Sequence, residues 1–274
     1  MVVSHIQGKA SEMNPDLTRF CAALGFIGCA LMAAPPANAQ ESSAAQANNP
    51  LANSTAMNFQ NQYNQLTGSD DHANQFLLRY ARPFKAFGGD WLMRATVPVN
   101  TFPDGAGSHN TGLGDVNIFA AYLLDTGNPA LSFGIGPQIT LPTATDDNLG
   151  SEKWSLGFAN VLFNASSPTF QYGYLLTWQA SVAGDDDRAD VNVAAFQPFG
   201  FYQLGQGWYL RSAGVWTYDF ETDNYAIPVG FGVGKVTKLD RAVMNAFIEP
   251  QWTVDHKGDG QPDWGVFAGI NFQY

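Results

Sequence analysis

Cysteine is absent from most of this chain. The sequence has 274 residues and two cysteines, Cys21 and Cys29, both near its start. A segment without cysteine has no disulfide bonds to staple it and no thiolate with which to bind a metal ion. Everything after Cys29 must therefore fold through backbone hydrogen bonds and side-chain packing alone.

Charge is scarce as well. Only 14% of the residues are charged, whereas roughly a quarter is usual in a soluble domain. The 24 acidic residues outnumber the 13 lysines and arginines, and the formal net charge is −11. Because nucleic-acid binding depends on clustered cations that neutralise phosphates, nucleic acid is not an expected partner.

Long apolar runs are also missing. A membrane-spanning helix needs about 20 consecutive apolar residues, and the longest apolar stretch, at 20–34, is shorter. Only helices and closed β-barrels satisfy every backbone polar group within lipid. If this chain enters a membrane, the sequence therefore predicts a barrel.

Residues 1–39 have the pattern of a secretory signal peptide. A polar start with two cations precedes the apolar run at 20–34, and the stretch Ala-Asn-Ala at 37–39 has the small residues that a signal peptidase recognises. We predict cleavage before Gln40.

Two further points concern the start of the chain. Lipidation of Cys29 is the alternative to simple cleavage, but the bulky residues before it make a poor lipidation motif. Residues 40–54, rich in Ala, Ser and Asn, are predicted to form a flexible periplasmic segment. The remaining domain then spans residues 55–274.

Extended segments alternate with turn-forming residues throughout this domain. We predict twelve strands, most of about the ten residues that a tilted membrane strand requires. Their predicted ranges are 55–66, 73–84, 91–101, 115–124, 130–143, 153–164, 170–183, 189–203, 208–220, 224–238, 243–255 and 264–274. The predicted fold class is therefore all-β: a transmembrane antiparallel up-and-down β-barrel of about 12 strands.

The final strand shows the two-residue period clearly. In the closing sequence WGVFAGINFQY, the even positions from Trp264 to Tyr274 are apolar or aromatic, and the odd positions are mostly small or polar. This alternation predicts one face toward lipid and one toward the barrel interior. The aromatic residues Phe272 and Tyr274 resemble the signal that the outer-membrane assembly machinery recognises. The alternative is an edge strand of a soluble periplasmic sheet.

The connections between predicted strands are sorted by length and charge. Short connections with few charges (KAFGGD, TGNP, SSPT, GQG, LDRA) alternate with mostly longer, acidic ones (LTGSDDH, PDGAGSHNTGLG, TATDDNLGSE, GDDDR, ETD, HKGDGQPD). Short periplasmic turns and longer extracellular loops are typical of bacterial outer-membrane barrels. The sorting predicts that both chain termini lie in the periplasm.

Five prolines conflict with regular strands. They are Pro98, Pro137, Pro198, Pro228 and Pro250. A closed barrel has no free edge at which a missing N–H is tolerated. These prolines predict bulges or strand ends; otherwise the predicted boundaries are wrong there.

Five charged residues are predicted to face the lumen. They are Arg79, Arg94, Arg211, Asp219 and Glu249. An arginine facing lipid at the bilayer midplane would cost about 2–4 kcal/mol, which favours the interior. One interpretation is a constriction whose transverse field selects solutes. The other is a set of salt bridges that narrow or close the pore, and the sequence leaves both open.

Metal, cofactor and catalytic sites are not expected. The acidic stretches GDDDR and DHKGDGQPD lack the spacing of a calcium loop, and the glycine-rich stretch before Asp115 lacks that of a phosphate-binding loop. His72, His109 and His256 all fall in predicted loops. Neighbouring acids such as Asp71 make poor catalytic partners, because adjacent residues of an extended chain point in opposite directions. We therefore predict that the protein is not an enzyme.

Several motifs resemble one family of Gram-negative outer-membrane barrels. They are NPLAN (49–53), FQNQYN (59–64), GLGD (112–115), LPTATD (141–146), SVAGD (181–185) and RADVN (188–192). The family is often labelled neuromedin U-like and is similar to the outer-membrane proteins of the MetA pathway of phenol degradation, usually described as transporters. The resemblance covers most of the chain after the leader. It implies a transmembrane barrel and suggests transport of hydrophobic or aromatic compounds, without catalytic residues or an established substrate.

These observations predict an outer-membrane channel for passive transport of small solutes. Its expected partners are outer-membrane lipid and lipopolysaccharide, the assembly machinery and a small-molecule solute. The alternative is a non-conducting structural or interaction barrel whose lumen is filled by its own side chains or by residues 40–54. A twelve-stranded barrel is compatible with a narrow pore or a plugged one.

Overall fold

The alternating segments of the sequence form strands of a single sheet. A computed structural model describes residues 46–274; the predicted signal peptide and the first residues after it lie outside the described part. The strand segments are β1 Ala56–Leu66, β2 His72–Ala86, β3 Gly89–Pro103, β4 His109–Leu113, β5 Val116–Leu124, β6 Leu131–Leu141, β7 Lys153–Asn164, β8 Phe170–Gly184, β9 Asn192–Gly205, β10 Trp208–Ser212, β11 Trp216–Asp219, β12 Asn224–Gly230, β13 Gly232–Lys238, β14 Val243–Lys257 and β15 Pro262–Gln273. A 3-10 helix, Asp147–Leu149, lies between β6 and β7.

Three pairs of consecutive segments are single barrel strands with an interruption. Strands β4 and β5 both pair with β3, β10 and β11 both pair with β9, and β12 and β13 both pair with β14. The described chain therefore forms a twelve-stranded antiparallel barrel. The predicted fold class and strand number are confirmed.

The barrel is closed by its first and last strands. Strand β1 pairs with β2 on one side and with β15 on the other, and Phe59 lies opposite Ile270 in the closing ladder. Thr55 and Tyr274 exchange two backbone hydrogen bonds of 3.0 and 2.9 Å just beyond these strands. A closed ladder leaves no unpaired edge at this seam.

The predicted sorting of the connections by length and charge between the two ends of the barrel is confirmed. The end of the barrel that holds Thr55 and Tyr274, here called the terminal end, has two-residue turns at 87–88 and 206–207. Phe87 has a φ of 50° and Gly88 a φ of 76°, the pair of positive values that matches a tight hairpin to the twist of its strands. The opposite end, here called the loop end, has the longer and acidic connections, including 142–152 and 185–191.

The two faces of the strands differ as the alternation predicts. Large apolar side chains such as Ile248, Val254 and Ile270 are exposed on the outer face. Polar side chains such as Gln60 and Asn245 are buried on the inner face. Among residues 46–274, no helix is long and apolar enough to cross a membrane.

Each of the five prolines lies at an irregularity of the hydrogen-bond ladder. The carbonyl of Pro98 accepts from the backbone N–H of Gly114 at 3.0 Å, but proline has no N–H to return the bond. The opposing strand is interrupted there, between β4 and β5. Pro250 repeats the arrangement, since its carbonyl accepts from the N–H of Phe231 at 3.1 Å and the opposing strand is interrupted between β12 and β13.

The other three prolines also lie where the hydrogen-bond ladder is irregular. Pro198 and Pro228 lie on the two strands that flank the third interruption, residues 213–215. The carbonyl of Pro228 accepts from the indole Nε1 of Trp216 at 3.1 Å instead of from a backbone N–H. Pro137 lies in a gap of the β5–β6 pairing. The prolines therefore mark bulges inside strands, and the predicted strands were correct at these points.

Candidate functional site

A cavity of about 160 Å³ lies inside the barrel toward the terminal end. Three of the predicted lumen residues, Arg79, Arg94 and Arg211, line it together. Apolar side chains share the wall: Leu92, Leu175, Phe199, Phe201, Phe247 and Phe267. The wall of the cavity is therefore neither purely polar nor purely apolar, but a mixture of cations, amides and aromatic rings.

Residues 46–54 form one wall of this cavity. The sequence analysis predicted a flexible segment at 40–54, with filling of the lumen by this segment as the alternative; the structure places residues 46–54 against the inner wall of the barrel. The backbone carbonyl of Ala47 accepts from Asn245 Nδ2 at 3.4 Å and from Gln273 Nε2 at 3.3 Å. Asn49 Nδ2 donates to Ser132 Oγ at 3.2 Å. Amide side chains of the lumen wall thus hold this segment, here called the N-terminal plug.

Apolar contacts complete the docking of the plug. Leu51 is buried in a cluster with Leu92, Phe119 and Val161, and Ala47 is buried in a second cluster around Phe163, Phe199, Phe201 and Tyr209. The composition of the segment, mostly Ala, Ser and Asn, indicates a linker. The two buried side chains and the amide contacts depend on the barrel wall, so no local pattern could have predicted them.

A buried ion pair lies beside the cavity. Arg211 Nε donates to Glu249 Oε2 at 2.6 Å, and the two side chains are 7% and 0% exposed. Glu249 Oε1 also accepts from the backbone N–H of Ala213 at 2.9 Å and from Gln251 Nε2 at 2.8 Å. The carboxylate replaces the backbone partner that Ala213 lacks at the interruption of its strand. The pair thus stabilises the wall where the strand is interrupted; whether it narrows the pore or selects solutes stays a prediction.

Aromatic rings surround the guanidinium of Arg211. Its Cζ lies 3.7 Å from the ring centroid of Phe247, 5.4 Å from that of Phe267 and 5.9 Å from that of Phe201. A cation within about 6 Å of a ring face is attracted by the ring quadrupole. Phe267 falls on the predicted lumen face of the last strand, so alternation could have identified its inward direction.

Arg79 and Arg94 differ from Arg211 because neither has an ion-pair partner among the described residues. Arg79 Nη1 donates to Gln60 Oε1, and the guanidinium of Arg94 lies 4.4 Å above the ring centroid of Phe119. The Nε atoms of both arginines are buried and make no hydrogen bond. The two side chains are diagonal neighbours on β2 and β3, since Arg79 pairs with Thr96 and Ala81 with Arg94.

Asp219, the fifth predicted lumen charge, does not join this group. It ends β11 at the loop end, and its Oδ1 accepts from the backbone N–H of Glu221 at 2.9 Å and of Thr222 at 3.4 Å. A carboxylate in this position stabilises the turn that follows the strand. The lumen cluster of the structure therefore holds three arginines and one acid, and its role in selectivity stays a prediction.

The predicted assembly signal lies at the closing seam. Phe272 packs edge-on against Phe59 of the first strand, with ring centroids 6.4 Å apart. Tyr274 is exposed at the terminal end. Both residues belong to the outward face of the last strand. Their recognition by assembly machinery stays a prediction.

The connection 142–152 folds against the loop end of the wall. Asp115 Oδ2 accepts from the N–H and the hydroxyl of Ser151 at 2.7 and 2.8 Å, and Asn100 Nδ2 donates to the carbonyl of Leu149 at 2.9 Å. Arg188 Nε pairs with Glu152 at 3.2 Å. Desolvation, followed by the nearby Asp147, raises the pKa of the Glu152 carboxyl.

The histidines were predicted to lie in loops, and this is wrong for all three. His72, His109 and His256 lie within β2, β4 and β14, because these strands extend further toward the loop end than predicted. The rings of His72 and His109 stack with centroids 4.2 Å apart. Among residues 46–274, no group of three or more His, Cys, Asp or Glu side chains is arranged to hold a metal ion.

Comparison with solved structures places this architecture among outer-membrane barrels. An outer membrane channel from Pseudomonas putida F1 superposes with a TM-score of 0.62 at 12% sequence identity, covering 81% of this chain and 96% of that one. The NanC porin superposes with a TM-score of 0.52 at 10% identity, covering 80% of this chain and 98% of the porin. At these identities the likeness concerns the fold alone.

Sequence comparison adds one family. The family model described as "Putative MetA-pathway of phenol degradation" matches residues 58–159, from β1 into β7. The match covers less than half of the chain, including Arg79 and Arg94 but not Arg211 and Glu249. The search of curated proteins found no match.

Proposed function

We propose that this protein is a channel of the outer membrane for passive transport of small solutes, with both termini in the periplasm. The observation that carries the proposal is the arginine-lined cavity inside a closed barrel. A barrel that served only as a scaffold would gain nothing from unpaired cations in its interior. Arg79 and Arg94 line the cavity and have no ion-pair partner among residues 46–274, which suits them to contact a passing solute.

Family similarity supports the same function. The match to the MetA-pathway family, together with the motifs between 49 and 192, supports membership of this group and of its neuromedin U-like relatives. The mixed wall of the cavity, with Phe199 and Leu92 near the arginines, is compatible with solutes that have a hydrophobic or aromatic body. The acidic loop end would then face the cell exterior.

The N-terminal plug suggests a second candidate function, that of a non-conducting barrel. Residues 46–54 narrow the lumen at the terminal end, as expected of a non-conducting barrel. Their contacts with the wall are a few neutral hydrogen bonds of 2.9–3.4 Å and two buried apolar side chains. Neutral hydrogen bonds each contribute about 1 kcal/mol net. We therefore propose that the plug leaves the lumen during transport.

Single-channel conductance in a planar bilayer tests the proposal. The purified protein should give reproducible current steps in potassium chloride. Arg94→Ala should reduce the preference for the anion, because it removes an unpaired cation from the lumen. Arg82→Ala is the matched control: Arg82 lies on the same strand as Arg79 but is exposed, one residue beyond the cavity-lining Ala81 and so on the opposite face.

Removal of residues 46–54 extends the test to the plug. The shortened protein should give larger steps than the intact one. A folded protein that stays electrically silent with and without the plug would contradict the channel and favour a structural barrel or a lateral route for apolar molecules. Folding is checked independently by the shift in gel mobility that intact barrels show on heating.

A further inference from the structure

The geometry points to a binding site for a small organic carboxylate between Arg79 and Arg94, inside the lumen. This inference deepens the proposed channel function by naming the chemical class of its solute. Its basis is the contrast between the arginines of one cavity. Arg211 has a carboxylate partner, whereas Arg79 and Arg94 have none among the described residues.

The hydrogen bonds that the two arginines do not make indicate which kind of partner they lack. The Nε atoms of both are buried without a hydrogen bond, and a buried donor without a partner costs about 1–3 kcal/mol. Arg79 donates to Gln60 through Nη1 only. A planar carboxylate can accept two parallel hydrogen bonds from one guanidinium, so it suits two cavity-lining arginines without an ion-pair partner better than a neutral acceptor does.

No carboxylate of the described chain can supply this partner. No salt bridge of the described residues includes Arg79 or Arg94, and the oxygens of Glu249, the acid that pairs with Arg211, already accept from Arg211, Ala213 and Gln251. The remaining polar groups of the cavity wall are amides and hydroxyls such as Asn58 and Ser54. The cavity therefore has two positive charges in excess, although the whole chain has a net charge of −11.

The apolar side chains of the cavity wall determine which kind of ligand fits beside the two arginines. Phe119 lies beneath the guanidinium of Arg94 at 4.4 Å, and Leu92, Leu175 and Phe199 face the same space. The volume of about 160 Å³ is below the roughly 300 Å³ of a pocket for a drug-sized molecule. A monocarboxylate with a compact apolar or aromatic body matches both the charge and the size.

Binding is tested separately from conduction. The purified, folded protein in a non-ionic detergent is titrated calorimetrically with benzoate, with benzyl alcohol as the uncharged counterpart and with inorganic phosphate as an anion without an apolar body. We expect benzoate to bind more tightly than either comparison compound. The double variant Arg79→Gln, Arg94→Gln should weaken benzoate binding by about tenfold or more, as expected when charge-assisted hydrogen bonds are lost.

Three variants complete the design. Arg82→Gln removes the same charge from the opposite face of β2 and should change benzoate affinity by less than about twofold. The single variants Arg79→Gln and Arg94→Gln replace the double variant if it does not fold. Absence of benzoate binding, equal binding of benzyl alcohol, or unchanged affinity in the arginine variants would overturn the site. A protein that binds benzoate but passes no current would retain the site and lose the channel, so the two failures are distinguishable.

Discussion

Arg211 and Glu249 form their ion pair across an intervening strand. Arg211 lies on β10 and Glu249 on β14, and β13 runs between them. Gly232 of β13 pairs with Arg211, and a Cβ at this glycine would lie 2.7 Å from the Cβ of Glu249. Gly230 is equally crowded, with its Cβ position 2.1 Å from Glu249 Oε1. The pair therefore depends on two glycines that leave room for it.

We expect Glu249→Gln to destabilise the barrel strongly. The substitution keeps the shape of the side chain but leaves the buried Arg211 without a counter-charge, and breaking a buried pair costs about 3–5 kcal/mol. The measurement is the denaturant midpoint of unfolding of the purified protein in detergent. Glu221→Gln, in an exposed turn, is the control and should stay within about 0.5 kcal/mol.

The double variant Arg211→Met, Glu249→Leu separates pairing from packing. Replacing both partners removes the uncompensated charge, so the double variant should be more stable than Glu249→Gln alone. If Glu249→Gln were as stable as the unaltered protein, the pair would not maintain the wall at the interruption near Ala213.

Locking the plug should abolish most of the current. Asn49 Nδ2 and Ser132 Oγ are 3.2 Å apart, so Asn49→Cys with Ser132→Cys introduces two thiols at adjacent positions. The chain has no cysteine after Cys29, so in the mature protein these would be the only thiols. The oxidised double variant should conduct much less than the reduced one in the same bilayer experiment. Each single cysteine variant is a control and should be insensitive to reduction. Equal currents before and after reduction would mean that the plug does not leave the lumen.

The sequence predicted the barrel well because its signals are local and periodic. The alternation in the last strand identifies Asn271 and Gln273 as inward, and the structure places both in the cavity wall. The inward direction of Arg79 and Arg94 follows from the same rule. These features need only the period of an extended chain.

The missed features depend on contacts between distant parts of the chain. Asn49 meets Ser132 across 83 positions, and the partner of Arg211 is 38 positions away. Asp219 lies apart from the arginine cluster because its strand ends at that residue, where the side chain turns to the backbone of the following loop. Alternation gives the face of a residue but not its height along the barrel axis or its partner.

The interpretation of the prolines gives a further prediction. Pro250 faces an interruption at Phe231, where no N–H is needed, so Pro250→Ala should change stability by less than about 1 kcal/mol. Ala246→Pro on the same strand should destabilise the barrel much more than Pro250→Ala or prevent folding, because it removes a ladder N–H and Ala246 lies in register with both Lys235 and Ile270. The denaturant midpoint measures both. A large loss in Pro250→Ala would mean that the ring itself stabilises the bulge.

An ion pair at the loop end predicts that the connection 185–191 loosens at low pH. Lys153 is 7% exposed and pairs with Asp190 at 3.2 Å. The hydroxyl of Ser181, and then Lys153, lower the pKa of the Asp190 carboxyl from its usual value. A carboxyl whose pKa is lower in the folded state contributes stability above its unfolded pKa, about 3.9, and loses it as the pH falls through the folded value.

The connection 185–191 should therefore loosen below about pH 4 and not near neutrality. Hydrogen exchange of this connection between pH 3 and pH 6, corrected for the intrinsic exchange rate, measures the effect. Asp190→Asn should remove most of the pH dependence and raise exchange at pH 6, because it leaves Lys153 buried without a charged partner. Asp186→Asn, an exposed residue of the same connection, is the matched control and should behave like the unaltered protein. If both variants kept the same pH profile, Asp190 would not be the group that holds this connection against the barrel.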